Sequence, residues 1–196
     1  MEASHQAAWD PDDLNQALIV LRLGGVILYP TDTIWGIGCD ATHAGAIEKV
    51  YRIKERPVGK SMLILVRDID MAEQYTFNTP ELIWQVMKEA LDPLTLIFPH
   101  ARGLAMNLPA ADGSIGMRIP KDNFCQALLT AFGKPIVSSS ANRSSSLPPR
   151  SFSEIPVSFL QQADYVVNWR QDDDVPSKPS TVVRVNSDGD MEMIRP

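Results

Sequence analysis

The chain has little of what many catalytic centres are built from. Only two cysteines occur among 196 residues, Cys39 and Cys125. They are far apart and lack metal-ligand spacing, which fits free structural thiols in a reducing compartment. The three histidines, His5, His43 and His100, are scattered, so neither a metal cluster nor a serine or cysteine triad has an obvious base. GxSxG, GxGxxG and HExxH are all absent, which removes the usual hydrolase, dinucleotide and zinc-protease readings. No apolar run reaches membrane-spanning length, and the opening MEASHQAAWDPDD is acidic without a charged-then-apolar leader pattern. A cytoplasmic protein is expected. Net positive charge is missing too: the formal charge is −6 and the pI near 5.0. Contact with RNA would need a local patch, and the balance favours a small-molecule partner.

What is present describes one folded unit. With 44% hydrophobic residues, the chain can bury a full core, and a single domain over 1–196 with no extra C-terminal domain is expected. DPDDLNQALIVLRLGG has a helix start at Asp10 and Pro11, apolar spacing at Leu14, Ala17, Leu18 and Leu21, and a stop at Gly24 and Gly25. Short apolar runs predict strands at VILYP (26–30), MLILV (62–66), LTLIF (94–98), SIGMRI (114–119), PIVSS (135–139), YVV (165–167), TVVRV (181–185) and MEMI (191–194). Helical patterns lie between several of them, notably Ala46, Ile47, Val50 and Tyr51, Pro80–Ala90 behind a Thr79 cap, and Lys121–Phe132 behind a proline. NSDGD before the last strand is a hairpin signal. The fold class is therefore α/β (α+β) with a twisted sheet of mixed parallel and antiparallel strands. Prolines at 147–149 and 175–179 predict a long mobile stretch from Ser144 to Ser180.

Polar patches interrupt this frame at strand ends, where α/β folds place ligands. RPVGKS (56–61) ends like a nucleotide-binding P-loop, but the required first glycine is Lys54, and the order is helix to strand rather than strand to helix. What remains is a cluster of cations, Arg52, Lys54, Arg56 and Lys60, with Lys60 expected at the start of a strand. A solvated helix end accounts for Arg52 and Lys54, less well for Lys60. YPTDTIWG offers Thr31, Asp32 and Thr33 either as an Asx or ST turn or as groups that hydrogen-bond an amino acid or sugar. GSIGMRIP places Arg118 inside an apolar strand, where it needs a carboxylate or phosphate partner, from a ligand or from the chain itself. SSSAN (138–142) ends another strand with small polar groups that permit close approach by a ligand. Asp172–Asp174 lacks the alternation of a calcium loop and reads as a solvated turn.

In this order, YPTDTIWGIGCDA, KERPVGK, PLTLIF, IGMRIP, PIVSSSAN, PSTVV and the closing Ile-Arg resemble the YrdC-like family of L-threonylcarbamoyladenylate synthases. The resemblance covers nearly the whole chain. It implies a YrdC-like fold with a concave cationic groove. It also implies a nucleotidyltransferase that converts L-threonine, bicarbonate and ATP, with magnesium, into threonylcarbamoyl-AMP and pyrophosphate for the threonylcarbamoyladenosine modification of tRNA. Matched residue by residue, Lys54 and Arg56 would be the catalytic cations. Arg56, Lys60, Ser114, Asn142, Ser151 and Arg195 would contact ATP, with Lys54 also on the triphosphate. Thr33, Arg118, Ser140 and Ser180 would hold threonine, Arg118 pairing with its carboxylate in a bidentate fork. No protein metal ligands are implied, since magnesium would be held mainly by the ATP phosphates. The implied partners are a downstream tRNA threonylcarbamoyl transferase complex and RNA or tRNA itself.

The chain departs from the family pattern at Ala90-Leu91-Asp92-Pro93, where many members have Trp-Pro-Gly-Pro. It departs again over 143–151, and at Leu65, where some members have a histidine near threonine. Two competing readings stand beside the synthase: an RNA-binding or regulatory protein using the same groove, and a family paralogue acting on another carbamoyl substrate.

Overall fold

The computed structural model describes residues 9–57, 59–173, 178–186 and 188–196. The acidic opening up to residue 8 with His5, together with Val58, Asp174, residues 175–177 and Ser187, lies outside them.

The described residues form one nine-stranded sheet from β1 (Ile27–Tyr29), β2 (Gly36–Gly38), β3 (Leu63–Leu65), β4 (Leu94–Phe98), β5 (Ile115–Arg118), β6 (Ile136–Ser140), β7 (Tyr165–Val166), β8 (Thr181–Val185) and β9 (Met191–Arg195). The spatial order is β7, β1, β2, β6, β3, β5, β4, β8, β9. Three contacts are parallel, β1 with β7, β3 with β5 and β4 with β8; β1 with β2, β2 with β6, β3 with β6, β4 with β5 and β8 with β9 are antiparallel. The expected mixed sheet is what forms. The NSDGD hairpin joins β8 to β9, with Asn186 N–H donating to the Asp190 carbonyl at 2.8 Å and Gly189 at φ +92°.

Local chemistry sets the helices. α1 (Pro11–Arg22) starts where the Asp10 carboxylate accepts the Asp12 N–H at 2.9 Å. α2 (Ala44–Ile53) is capped by His43, whose Nδ1 accepts the Ala46 N–H at 3.0 Å. α3 (Ile69–Ala72) and α6 (Val157–Leu160) are single turns.

Some expected boundaries need correction. α4 (Glu81–Glu89) takes Pro80, not Thr79, at its N-cap position and has no side-chain cap; the ring of Pro80 sets the entry geometry that a hydroxyl would otherwise support. α5 (Asn123–Phe132) begins later than expected, because the Asp122 carboxylate caps it by accepting the Cys125 N–H at 2.8 Å. Of the stretch from Ser144 to Ser180, read as long and mobile, residues 174–177 lie outside the described residues; the rest contains a 3₁₀ turn at Phe152–Glu154, α6 and β7. Apolar side chains spaced among the prolines anchor it: Ile155, Phe159 and Val167 are buried, and Phe152 packs on Trp35 at 4.8 Å between ring centroids.

Strand alternation splits the core in two. Leu28, Ile64 and Val137 face α2 and α4, against Ile47, Val50, Ile83 and Trp84. Ile27, Tyr29, Leu65 and Ile136 face the other way, against Leu18 and Leu21 of α1 and Phe124 and Leu128 of α5. Gly38 sits where the chains meet most closely: a Cβ there would lie 2.4 Å from the Val137 carbonyl. Gly38→Ala must therefore displace backbone in the middle of the sheet, and a loss of roughly 2–4 kcal/mol in denaturant unfolding is expected.

Candidate active site

Toward β4, β5 and β8 the same alternation sets Leu96, Met117 and Val185 into the core beneath α2 and α4. The opposite set, Thr95, Ile97, Gly116, Arg118, Ser180, Val182 and Arg184, lines a cavity of about 410 Å³. Small residues keep its floor low; a Cβ on Gly116 would come within 3.2 Å of Leu63.

Of the residues singled out in the sequence, Thr33, Arg56, Ser114, Arg118, Ser140, Ser180 and Arg195 line this one cavity. They come from the β1–β2 loop, the turn after α2, β5, β6, the approach to β8, and β9, so the topology assembles them from distant parts of the chain. Lys54, Lys60, Asn142 and Ser151 do not line it.

Arg118 is 3% exposed, and its Nη1 donates to Asp32 Oδ1 at 2.7 Å and Thr33 Oγ1 at 3.0 Å. Its Nε is buried without a partner among the described residues. The chain thus supplies one carboxylate and still leaves one edge of the guanidinium unanswered, so both accounts of a cation in an apolar strand apply at once. Thr33 is locked by an ST turn: the Thr31 hydroxyl accepts its N–H at 3.0 Å and donates to the Ile34 carbonyl at 2.9 Å. With the Thr31 proton committed, Thr33 Oγ1 donates to Thr31 Oγ1 across 2.9 Å and accepts from Arg118. Turn and ligand face coexist in this loop.

The other cations divide by partner. Arg56 donates Nε to the Lys60 carbonyl and Nη2 to the Ser61 carbonyl, both at 2.7 Å, and Arg195 donates Nε and Nη2 to the Ser180 carbonyl at 3.2 and 2.8 Å. Neither has a carboxylate partner among the described residues, so their charge stays available. Arg184 pairs with Asp112 at 3.2 Å. The Ser114 hydroxyl and N–H hold the Asp112 carboxyl below the usual carboxylate range, at 2.6 and 3.0 Å. Ser180 Oγ shares a hydrogen bond with Thr95 Oγ1 at 2.8 Å. Lys60 is exposed in the turn ahead of β3, not at the strand start, and Ser151 bonds Ser153.

Lys54 corrects the solvated-helix-end expectation. It is 1% exposed, and its Nζ turns inward to donate to the Ser140 carbonyl and, at 2.8 Å, to that of Asn142. Its own carbonyl accepts the Ser144 N–H at 2.8 Å. The lysine therefore clamps the end of β6 and the loop behind it. Asn142 adds Nδ2 bonds to the Arg143 and Ser146 carbonyls at 2.9 and 2.6 Å, leaving Oδ1 buried without a partner among the described residues.

Burial brings the Lys54 pKa down to about 7, with the Arg56 guanidinium adding to the fall. A folded value below the unfolded one means that above neutrality the unfolded chain holds the extra proton. Stability from this group then rises with pH. Relative to Lys54→Met, wild-type unfolding free energy is expected to gain up to about 1.4 kcal/mol per pH unit between about pH 7.5 and 9, read from urea titrations.

A family model described as Telomere recombination, covering Sua5, YciO and YrdC, matches residues 19–196. The threonylcarbamoyl-AMP synthase of Xanthomonas euvesicatoria is 31% identical over 162 residues, 81% of this chain and 87% of the relative. The chain belongs to the Sua5/YciO/YrdC family. The crystal structure of E. coli YciO is 28% identical with a TM-score of 0.81 over 95% of this chain and 91% of that one. P. abyssi Sua5 complexed with L-threonine shares the fold at 22% identity, TM-score 0.76, over 88% of this chain and half of that one.

The places where this family member departs from the pattern fall unevenly around the cavity. Leu65 is buried against the α1 and α5 side and does not line it. The 90–93 turn is held from behind by Lys121, whose Nζ donates to the Ala90 and Leu91 carbonyls. The 143–151 loop does reach the cavity, through Pro148. Sequence reasoning missed Thr95 and Arg184 as lining residues, although Arg184 carries the signal that marked Arg118: a cation inside an apolar strand. Of the Asp172–Asp174 run, Asp174 lies outside the described residues, and Asp173 is tied into the fold by accepting from Arg170 Nε at 2.7 Å.

Proposed function

We propose that this chain is a threonylcarbamoyl-AMP synthase, a nucleotidyltransferase that joins L-threonine, bicarbonate and ATP and releases pyrophosphate, in the cytoplasm. The observation that carries this reading is that Arg118, whose Nε is buried and unpartnered among the described residues, lines one cavity with Arg56 and Arg195, which have no carboxylate partner among those residues. One anion site sits deep beside Thr33, and unneutralised cations stand elsewhere on the lining. Relatives named threonylcarbamoyl-AMP synthase, aligned over most of the chain, support it.

The chemistry asks for positioning rather than a protein nucleophile. Threonine's amine attacks bicarbonate, forming a nitrogen–carbon bond with loss of water. A carbamate oxygen then attacks the α-phosphate, and the bond to pyrophosphate breaks. Arg118 accepts threonine's carboxylate on its free edge, with Ser140 and Ser180 beside it. Arg56 and Arg195 offset the phosphate charge. Ser114 also faces the nucleotide, while Lys60, Asn142 and Ser151 lie off the lining and would reach it only if their loops moved. Lys54 acts by holding Ser140 in place. Magnesium would come on the phosphate oxygens: among the described residues one carboxylate lines the cavity, Asp112, and it is engaged by Ser114 and Arg184.

A second reading, a paralogue using another carbamoyl substrate, draws on the likeness to E. coli YciO and the altered 143–151 loop beside Pro148. Among the described residues no helix is long and apolar enough to cross a membrane, and the product would pass to a tRNA-modifying transferase. Pyrophosphate release tests the synthase reading. It should require threonine and bicarbonate together, and release with either omitted would favour the paralogue.

A further inference from the structure

The β1–β2 loop carries a carboxylate to which the threonine reading gives no task. Asp32 Oδ1 accepts from Arg118 Nη1 at 2.7 Å, and Oδ2 accepts the backbone N–H of Lys121 at 3.0 Å. Its side chain is 10% exposed and that of Arg118 is 3% exposed. With one oxygen on each partner, the carboxylate cannot turn without breaking a bond. Nη1 donates to Thr33 Oγ1 as well, at 3.0 Å, so both of its hydrogens are committed. Rotation about the guanidinium is thereby blocked, and only the Nε and Nη2 edge is left to meet a ligand.

We propose that Asp32 is the positioning residue of the amino-acid site: it decides which edge of Arg118 receives the substrate carboxylate, and so where the substrate amine points. The inference rests on the synthase reading of the cavity. A guanidinium binds a carboxylate in a fork on either edge. If Nη1 were free, the substrate could dock on the wrong edge with no loss of affinity, and its amine would be misplaced for carbamate formation. Asp32 prevents this by occupying that edge first. The effect falls on turnover, because reaction rates respond to displacements that binding tolerates.

The test is Asp32→Asn, which keeps an oxygen for the Lys121 N–H and removes the charge that commands Nη1. Threonine affinity without ATP is read by calorimetry, turnover by pyrophosphate release, and folding by thermal melting. Threonine dissociation within about threefold of wild type is expected, with kcat lower by about thirtyfold to a hundredfold and the KM for ATP unchanged. Asp32→Ala with added formate, which can refill the vacated position, should recover part of the lost turnover. Unchanged kcat in the folded Asn variant would overturn the proposal. So would a loss confined to threonine affinity, or one shared with ATP affinity and melting, because each marks a different role. If wild type itself neither binds threonine nor releases pyrophosphate, the synthase reading fails and this inference with it. If wild type is active and the variant matches it, only the inference fails.

Discussion

Arg118→Lys is expected to lower kcat/KM for threonine by about two to three orders of magnitude while leaving the KM for ATP within about threefold. On the proposed reading the guanidinium would answer two anions, Asp32 through Nη1 and the substrate through its free edge, and a single ammonium cannot fork to both. Losing charge-assisted hydrogen bonds worth ~1.5–3 kcal/mol each sets the scale. Lysine is chosen over alanine because truncation would leave Asp32 buried without its cation, at a cost of ~3–5 kcal/mol in stability. Initial rates against threonine and against ATP check the result. A variant that loses ATP affinity equally would place Arg118 on the nucleotide instead.

Arg56→Ala carries the second large effect, an increase in the KM for ATP of about tenfold to a hundredfold with the threonine requirement intact. Arg56 lines the cavity and shapes the turn to Ser61 through two backbone carbonyls, so its removal takes away a cation and loosens the segment that carries Lys60. Lys60→Ala, at an exposed position off the lining, should cost only a fewfold change, as expected for a solvent-screened charge. Rates measured against ATP for the two variants side by side check the order. An equal or larger loss at Lys60 would mean that the turn folds over the phosphates on binding.

How much of this the sequence carried depends on what each residue's neighbours reveal. Arg118 was legible because a guanidinium between Met117 and Ile119 has no apolar account and must have a partner. Arg184 sits in TVVRV with the same signal. Strand alternation would also have sorted Thr95 and Ile97 from Leu94, Leu96 and Phe98, once the cavity face was known to be polar. Lys54 was not legible in this way. A cation at a helix end reads alike whether it extends into water or folds back under a neighbouring strand, and only β6 lying against α2 decides the matter. β2 was hidden for a different reason: Gly-Ile-Gly is too short to show a period, and its glycines are strand residues with Tyr29 packed over them. Over residues 144–173 the loop reading was misjudged because proline content was weighted above Ile155, Phe159 and Val167, which are buried.

The central claim is that threonine, bicarbonate and ATP meet in one cavity. The most direct measurement is mass spectrometry of the reaction run with isotopically labelled bicarbonate, followed by the same reaction with serine in place of threonine. The account predicts an adenylate whose mass carries the label, formed with threonine and strongly reduced in Arg118→Lys. An adenylate without the label, or no adenylate from folded, ATP-binding protein, would contradict it.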